Sequence, residues 1–258
     1  MQTTDQTPQI ETNRPLFFIS DAHLRHRTAK CEAAKQDSLI SFLRAVKGEA
    51  GGLYVVGDLF DFWFEYGSTV PRRGARVLSA MAELVDAGVS VTCFGGNHDW
   101  WLGDALTEEF GIVVRRHPLW LDAQGQRLYI AHGDGLSSPA RMYRLIRAVL
   151  HNPLAGKAFR FLHPAVGAFL ARAVSRNHGK GEYSENIEGQ LAPVYRAAAP
   201  QVFARGATIA VFGHVQTARI ETYGGGTVAV LGEWMNLRTY GELREGVFAL
   251  RSWRGQVL

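Results

Sequence analysis

Five stretches of the sequence run apolar and then end in a side chain that can bind a metal ion. The side chains at these ends are Asp21 and His23, Asp58, Asn97-His98-Asp99, His132, and His214. Imidazole together with hard oxygen donors suits Mn²⁺, Fe²⁺ or Zn²⁺ better than Ca²⁺ or Mg²⁺, which prefer oxygen ligands alone. This residue set therefore predicts a metal centre.

One ion would not use all of these groups, so the set favours two divalent ions. The candidate ligands are Asp21, His23, Asp58, Asn97, His132 and His214. Two ions about 3.5–4 Å apart, with one carboxylate bridging them, would use the whole set. Such a pair clamps a phosphoryl oxygen, lowers the pKa of a bound water and offsets charge in an in-line displacement. The expected chemistry is phosphoryl transfer to water.

Buried β-strands must position these ligands, because each ligand follows an apolar run with β-branched or aromatic residues. The strands predicted before them span residues 16–20, 54–56, 89–94, 127–131 and 208–212. Apolar residues at helical spacing predict a helix over 38–46, between the first two of these strands, and a helix over 76–87, between the second and the third. Alternation of strand and helix is typical of a layered α/β domain.

The pattern of the chain changes after residue 135. We expect a disordered polar leader over 1–14 and one domain over 15–258, with a helical insertion over about 136–205. The insertion has an apolar stripe that includes Met142, Leu145 and Ile146, and its opposite side is basic. From residue 208 onward strands return, and further strands are predicted over 219–223, 227–231 and 246–252.

Length and composition suit one large α/β domain, since 258 residues with 47% hydrophobic content can bury a sizeable core. No stretch of 18 apolar residues appears, so no membrane-spanning helix is expected. The N-terminal segment lacks the apolar core of a signal peptide, and Cys31 and Cys93 give neither a metal nor a disulfide framework. We therefore expect a cytoplasmic protein.

The formal net charge of +4 is unevenly distributed. Residues 136–181 contain eight Lys or Arg and no Asp or Glu, so this segment carries +8 and the remainder carries −4. Charge asymmetry of this kind indicates an anionic partner for the basic segment.

Taken in order, the ligand-bearing stretches resemble the motifs of the calcineurin-like metallophosphoesterase superfamily. The matching motifs are Asp21-x-His23, Gly57-Asp58, Gly96-Asn97-His98-Asp99, His132-Gly133 and Gly213-His214. The resemblance implies an α/β (α+β) fold, a two-sheet β-sandwich flanked by helices, with a dimetal site at the strand ends.

The resemblance also implies a role for each site residue. The ligands implied for one ion are Asp21 and His23, and those implied for the other are Asn97, His132 and His214. Asp58 would bridge the two ions. Asn97 and His98 would contact the substrate phosphate, and His98 would assist protonation of the leaving group. Asp99 would be the orienting partner of His98.

Within the superfamily, the chain most resembles the diphosphatase family of lipid A synthesis. The shared features are Gly57-Asp-Leu-Phe-Asp61-Phe-Trp63, the helical insertion after His132-Gly-Asp134, and the tail Val230-Leu-Gly-Glu-Trp234. This resemblance implies hydrolysis of the pyrophosphate bond of a lipid-linked nucleotide, UDP-2,3-diacylglucosamine, to UMP and 2,3-diacylglucosamine 1-phosphate. The implied cofactor is a pair of divalent ions, with Mn²⁺ favoured.

The basic insertion then has an expected task. Its apolar stripe would line a slot for two acyl chains and rest on the cytoplasmic face of the inner membrane, while its arginines meet phosphates and anionic lipid. By position, Arg172, Ser175 and Lys180 resemble the insertion's substrate-contacting residues. No nucleic-acid partner is expected, because the basic helices lack the regular aromatic interleaving of single-strand binding.

The sequence departs from the family patterns at three places. The superfamily's Gly-His-x-His motif reads Gly213-His214-Val215-Gln216, so Gln216 stands where a histidine ligand of the first ion is expected. An amide oxygen can ligate but is a weaker donor, which predicts a weaker first position. The lipid A family commonly has arginine where this chain has His98, and Ser138-Pro-Ala-Arg141 lacks an acidic residue often found early in the insertion.

Two alternatives stay open at this point. The first keeps the chemistry and changes the substrate, making the protein a dimetal phosphodiesterase or pyrophosphatase for another nucleotide or lipid-linked diphosphate. The second is a non-catalytic scaffold of the same fold. Gln216 is the one residue that favours the scaffold, whereas the other ligand residues favour an enzyme.

Overall fold

The computed structural model of the chain describes residues 9–10, 12–25, 29–65, 74–134, 136, 152, 159 and 198–253. The helices are α1 (Lys30–Val46), α2 (Ala75–Asp86), α3 (Ala105–Phe110) and α4 (Ala199–Ala204). The strands before α4 are β1 (Gln9–Ile10), β2 (Leu16–Ile19), β3 (Gly52–Val55), β4 (Ser90–Phe94), β5 (Val113–Arg115), β6 (Leu119–Ala123) and β7 (Gln126–Ala131). The strands after it are β8 (Ile209–Phe212), β9 (Ala218–Tyr223), β10 (Gly226–Leu231), β11 (Thr239–Arg244) and β12 (Val247–Ser252).

The strands form two six-stranded sheets. The first sheet has the order β1-β6-β7-β8-β10-β9, and the second has the order β12-β11-β2-β3-β4-β5. In the second sheet β2, β3, β4 and β5 are parallel neighbours, and in the first sheet β7 and β8 are parallel neighbours. Parallel strands of one sheet end at the same edge, so the segments after β2, β3 and β4 lie side by side.

The core between the sheets follows from the two-residue period of strand side chains. On β2, Leu16 and Phe18 belong to the apolar cluster between the sheets, whereas Phe17 and Ile19 belong to the cluster under α1 and α2. All four side chains are buried. A strand buried on both faces reads as a continuous apolar run, which is why the sequence indicated it so clearly.

Helices cover both outer faces of the sandwich. The faces of α1, α2 and α3 pack on the second sheet through one large apolar cluster, with Leu39, Leu43, Met81 and Leu106 among its members. The short helix α4 packs on the first sheet. The predicted fold class, a two-sheet sandwich flanked by helices, is confirmed.

Four elements differ from the sequence prediction, and one of them is α3, where no helix was predicted. Helix α1 begins at Lys30, eight residues before the predicted start at 38. The first two turns were not predicted because polar side chains, and not apolar ones, occupy their buried face. Strand β11 was not predicted, and it lies between β12 and β2. Within the segment predicted as a leader, Gln9–Ile10 forms β1, which pairs in parallel with β6.

Most of the predicted insertion lies outside the described residues, and so do Arg172, Ser175 and Lys180. The described positions of the insertion are 136, 152, 159 and 198–205, and α4 falls among them. In the described part of the chain, no helix combines the length and the apolar character needed to cross a membrane.

Candidate metal centre

The structure brings the predicted ligands to one place, where the two sheets present their strand ends. The ligand-bearing segments follow β2 (Asp21 and His23), β3 (Asp58), β4 (Asn97), β7 (His132) and β8 (His214). Among the described residues, His23, Asp61 and His98 form one set of side-chain groups able to hold a cation, and two further sets share Asp58. Of these two, one is Asp21, His23 and Asp58, the other is Asp58, His132 and His214, and within each set the ligand atoms lie within 4.8 Å of one another.

The backbone at the site is left-handed at several non-glycine residues. The φ angles are 54° at Asp21, 43° at His23, 53° at Asp58, 68° at His214 and 58° at Gln216. A non-glycine residue held in such a conformation costs about 1–3 kcal/mol and persists only where its surroundings over-determine it. These turns fold the chain sharply after each strand, so that the side chains face one another.

Asp21 is buried and only partly satisfied by the protein. Its Oδ2 accepts hydrogen bonds from the Ser20 hydroxyl and, at 2.8 Å, from the backbone N–H of His214. Its Oδ1 is buried and has no hydrogen-bond partner among the residues that the structure describes. Leaving a carboxylate oxygen buried and unpaired is costly. A cation bound at Oδ1 would remove this cost.

Asp58 lies between the two halves of the site. Its Oδ1 accepts a hydrogen bond of 2.9 Å from the backbone N–H of His98. Its Oδ2 lies 3.4 Å from His132 Nε2 and 3.9 Å from His23 Nε2. Burial opposes its charge, but the neighbouring His132, His98 and His23 rings hold its pKa well below the usual range. Asp58 is therefore an anion placed to contact both cation positions.

The second half of the site contains Asn97, His132 and His214. The Oδ1 of Asn97 lies 3.1 Å from His132 Nε2, and the His132 and His214 ring centroids are 5.2 Å apart. Burial lowers the pKa of His132, but the charge and hydrogen bond of Asp58, together with the charges of Asp21 and Asp134, outweigh burial and raise that pKa to about 10. Burial and the charge of His132 lower the pKa of His214 to about 4.

These opposed shifts reflect the close packing of buried imidazoles around buried carboxylates. The carboxylates favour a proton on His132, whereas burial and the neighbouring His132 favour a neutral His214. A divalent cation would replace that proton and bind both rings through their neutral nitrogens. Together with Asp21 Oδ1, which accepts no hydrogen bond from the described residues, this arrangement fits a pair of divalent ions.

Glycines beside the ligands allow the segments to approach closely. A Cβ at Gly96 would lie 2.1 Å from Asp58 Oδ1, and a Cβ at Gly57 would lie 2.3 Å from His132 Nδ1. A Cβ at Gly213 would lie 2.0 Å from the Ser20 hydroxyl oxygen. Any side chain at these positions would displace a ligand or its partner, which explains why glycine precedes or flanks the ligands in the motifs.

Asp99 was expected to orient the His98 ring, and its carboxylate binds backbone groups in the structure. The carboxylate of Asp99 accepts three backbone N–H groups, from Gly96 at 2.8 Å, Asp58 at 3.2 Å and Phe60 at 3.0 Å. The ring of His98 instead places Nδ1 3.3 Å from the carbonyl oxygen of Asp61. Asp99 thus fixes the backbone around Asp58, and Asp61 orients the His98 ring. The motif identified a positioning carboxylate but not the group that it positions.

Gln216 lies at the position that the motif indicates. Its amide nitrogen is 3.0 Å from His23 Nε2, on the side of the ring that faces Asp21 and Asp58. The amide oxygen and nitrogen are assigned from the hydrogen-bond network, and a half-turn of the amide would exchange them. An amide oxygen can therefore reach the first cation position, with a weaker donor than the imidazole of the superfamily motif.

Replacing Gln216 with histidine should tighten the first cation position. An imidazole is a stronger ligand for Mn²⁺ than a neutral amide. Mutation of a residue that only supports a metal ligand already changes metal affinity by about 10–100-fold, so a change of the ligand itself should be measurable. We expect Mn²⁺ affinity at one of two positions to rise by about tenfold in a calorimetric titration, with the other unchanged. Equal affinities in Gln216→His and the wild type would show that Gln216 is not a ligand.

Sequence reasoning missed several residues that support the site. They are Ser20, Asp61, Glu32, Lys35 and Gln36. Asp61 was visible as the last acidic residue of the Gly57-Asp-Leu-Phe-Asp61 run. Its backbone carbonyl lies against His98 Nδ1, and its carboxylate forms a candidate cation-binding set with His23 and His98. Glu32 and Lys35 have the i, i+3 spacing of a helical ion pair, which is the signal that could have found them.

An aromatic cluster adjoins the site and includes a residue of the predicted insertion. Trp63 is fully buried and packs on Phe60 with ring centroids 4.3 Å apart. Phe159, in the insertion, packs on Phe64 at 4.7 Å and on Trp101 at 4.8 Å. At this residue, the insertion contacts the loops that follow β3 and β4.

Comparison with known proteins gives one family and a consistent set of relatives. The family described as calcineurin-like phosphoesterase matches residues 14–216. A "UDP-2,3-diacylglucosamine hydrolase" of Porphyromonas gingivalis is 35% identical over 70% of this chain and 69% of its own length. One of the same name from Neisseria meningitidis serogroup B is 32% identical over 86% of this chain and 91% of its own length. Among solved structures, Yfce, a phosphoesterase from E. coli, is 14% identical, with a TM-score of 0.47 and coverage of 95% and 96% of the two chains.

Proposed function

This chain belongs to the calcineurin-like phosphoesterase family, and from this premise we propose that it hydrolyses the pyrophosphate bond of UDP-2,3-diacylglucosamine. The products are UMP and 2,3-diacylglucosamine 1-phosphate, as in lipid A biosynthesis. The observation that carries the proposal is the convergence of two ligand sets on the shared carboxylate of Asp58. The choice of substrate is supported by the name that the relatives carry.

The roles of the site residues follow from their positions. Asp21, His23 and Gln216 would hold one cation, and Asn97, His132 and His214 the other, with Asp58 between them. Two divalent cations supply Lewis-acid chemistry at phosphoryl oxygens. The buried Asp58 carboxylate would be a ligand of both cations, and the backbone N–H of His98 holds its Oδ1 in place.

His98 is placed to act on the phosphate. Burial lowers the pKa of its ring, so the ring is neutral near pH 7 and carries one proton. A carbonyl oxygen only accepts hydrogen bonds, so the Nδ1 beside the Asp61 carbonyl carries that proton. An anionic diphosphate at the other ring nitrogen would raise the pKa and favour the protonated ring. His98 would then donate to the phosphate, beside Asn97, and assist departure of the leaving group.

Mn²⁺ is the proposed cofactor at both positions. The ligand set mixes carboxylates, two amides and imidazoles, which suits Mn²⁺, Fe²⁺ or Zn²⁺ better than Ca²⁺ or Mg²⁺, which prefer oxygen ligands alone. Metal analysis of the purified chain, followed by titration of the metal-free chain with each ion, would identify the preferred one.

The insertion over about 136–205 is proposed as a lid on the domain of residues 15–258. Its +8 charge suits the phosphates of the substrate and the anionic lipids on the cytoplasmic face of the inner membrane. Arg172, Ser175 and Lys180 are proposed to contact the substrate. In this proposal the protein is cytoplasmic and peripheral on that membrane. Contact of Phe159 with Trp101 supports a place for the insertion beside the site.

The proposal is tested by release of UMP from UDP-2,3-diacylglucosamine with added Mn²⁺, with bis(p-nitrophenyl) phosphate as a parallel substrate. Fast release of UMP is expected. Cleavage of the diester alone would keep the dimetal hydrolase and reject the lipid substrate, in favour of another nucleotide or lipid-linked diphosphate. Failure to cleave either substrate with metal bound would favour the non-catalytic scaffold.

A further inference from the structure

The buried face of α1 begins with polar side chains instead of apolar ones. Glu32, Lys35 and Gln36 are exposed to only 7%, 6% and 2%. Charged and amide groups are rarely buried in this way unless they are fully paired, because burial without partners costs several kcal/mol. The first two turns of α1 therefore have a task other than packing.

These side chains meet the loop that carries Asp21 and His23. The ammonium of Lys35 donates a hydrogen bond of 2.8 Å to the backbone carbonyl of His23 and lies 2.9 Å from Glu32 Oε2. The other oxygen of Glu32 accepts from the backbone N–H of Arg25 at 2.9 Å. One ion pair thus contacts the loop at two residues.

Gln36 closes the same network. Its amide nitrogen donates to the backbone carbonyl of Arg25 at 3.0 Å and to Glu32 Oε1 at 2.8 Å. Both backbone groups of Arg25 are thereby bound by side chains of α1. The network joins the first two turns of the helix to three backbone groups of the loop.

The loop needs such support, because its backbone is strained. The left-handed φ angles of Asp21 and His23 persist only if contacts on several sides hold them. On the side away from α1, the backbone N–H of His23 donates to the Asp58 carbonyl at 2.9 Å. The peptide groups flanking the His23 side chain are therefore held from the Asp58 loop and from Lys35, which fixes the direction of the ring.

The network also suits a position beside a cation. Lys35 and Glu32 form a neutral pair, so the ammonium can hold the His23 carbonyl without adding net positive charge near the metal. An uncharged donor of the same length does not exist among the common side chains, which gives a reason for a buried lysine here.

We infer that Lys35, supported by Glu32 and Gln36, is a positioning residue for His23 and so sets the cation affinity of the first position. In the proposed site, Gln216 is a weak ligand of the first position. The affinity of that position therefore depends strongly on the correct placement of His23, its imidazole ligand. The inference rests on the two-cation site of the proposed function.

The test compares Lys35→Met with Arg44→Met in the full-length chain. Arg44 is on the same helix and pairs with Glu83, and its side chain is 58% exposed, so its replacement removes a cation without touching the site. The metal-free variants are titrated with Mn²⁺ by calorimetry, and the coupled Mn²⁺ pair is followed by electron paramagnetic resonance. We expect Lys35→Met to lose about 10–100-fold in affinity at one position only, as for outer partners of metal ligands.

The result for each variant decides between explanations. Arg44→Met should match the wild type, and Lys35→Met should lose the coupled-pair signal at Mn²⁺ concentrations that saturate the wild type. Equal weakening of both positions would mark a general structural role and overturn the inference, as would wild-type affinity at both. A wild-type chain that binds fewer than two ions would instead reject the proposed function.

A milder variant covers the case in which Lys35→Met does not fold. Gln36→Leu keeps the size of the side chain and removes its bonds to Arg25 and Glu32, while leaving the ion pair in place. We expect the same single-position loss, reduced to a few-fold, within the range known for outer partners. Unchanged Mn²⁺ affinity in a folded Gln36→Leu variant would also overturn the inference.

Discussion

Replacing Asp58 with alanine is expected to remove both cations and nearly all turnover. Asp58 Oδ2 is within 4 Å of a ring nitrogen on each side of the site, so its loss takes a ligand from both positions. Metal ions supply several kcal/mol of transition-state stabilisation, so the loss of activity should reach about 10³-fold or more. Mass spectrometry of the bound metal measures the loss of the cations, and the rate of UMP release measures the loss of turnover.

Two variants serve as controls for Asp58→Ala. Asp122→Ala removes a carboxylate on β6 that is 36% exposed, and it should keep the metal and the activity. Asp58→Asn keeps the shape and one acceptor for the N–H of His98, and it should lose metal nearly as fully because the bridging charge is gone. Full activity in Asp58→Ala would end the dimetal hypothesis.

Replacing Asp99 with asparagine should weaken both folding and metal binding without touching a ligand. One carboxylate oxygen accepts two N–H groups and the other accepts a third, so in either orientation the new NH₂ group faces at least one N–H donor. An unsatisfied buried donor costs about 1–3 kcal/mol. Because two of these N–H groups belong to Asp58 and Gly96, we also expect about 10–100-fold weaker metal binding.

Denaturant unfolding and Mn²⁺ titration separate these effects. The matched control is Asp37→Asn on α1, since the Asp37 side chain is 50% exposed and pairs with Arg76 at the surface. That variant should change neither quantity. Asp99→Asn could instead leave metal affinity intact and shift the pH profile of turnover that His98 controls. That result would support the superfamily's assignment of Asp99 as the partner of His98.

The sandwich fold and the grouping of the candidate ligands could be predicted because both signals are local. Each of the strands that bear ligands is an apolar run, and each ligand follows its strand within a few residues. Parallel strands then bring those residues to one edge, whatever the details of packing. Gln216 was likewise visible as a departure from a short motif, and the structure places its amide nitrogen 3.0 Å from His23 Nε2.

Elements without a local apolar signal escaped prediction. The first turns of α1 were missed because Glu32, Lys35 and Gln36 interrupt the hydrophobic period on the buried face. Strand β11 alternates less clearly, since Gly241 and Glu242 lie in its middle. In both places the side chains are buried for their hydrogen bonds and ion pairs rather than for their apolar area.

By itself, the sequence determined which residues can bind metal, their order along the chain and the layered fold that brings them together. The tertiary structure alone decided which groups hold those ligands in place. Asp99 meets the backbone of Phe60 across 39 residues, and Lys35 meets the carbonyl of His23 across 12 residues, a contact that periodicity does not reveal. Hydrophobic patterns report which side chains leave water, whereas the partners of a buried polar group depend on where distant segments come to lie.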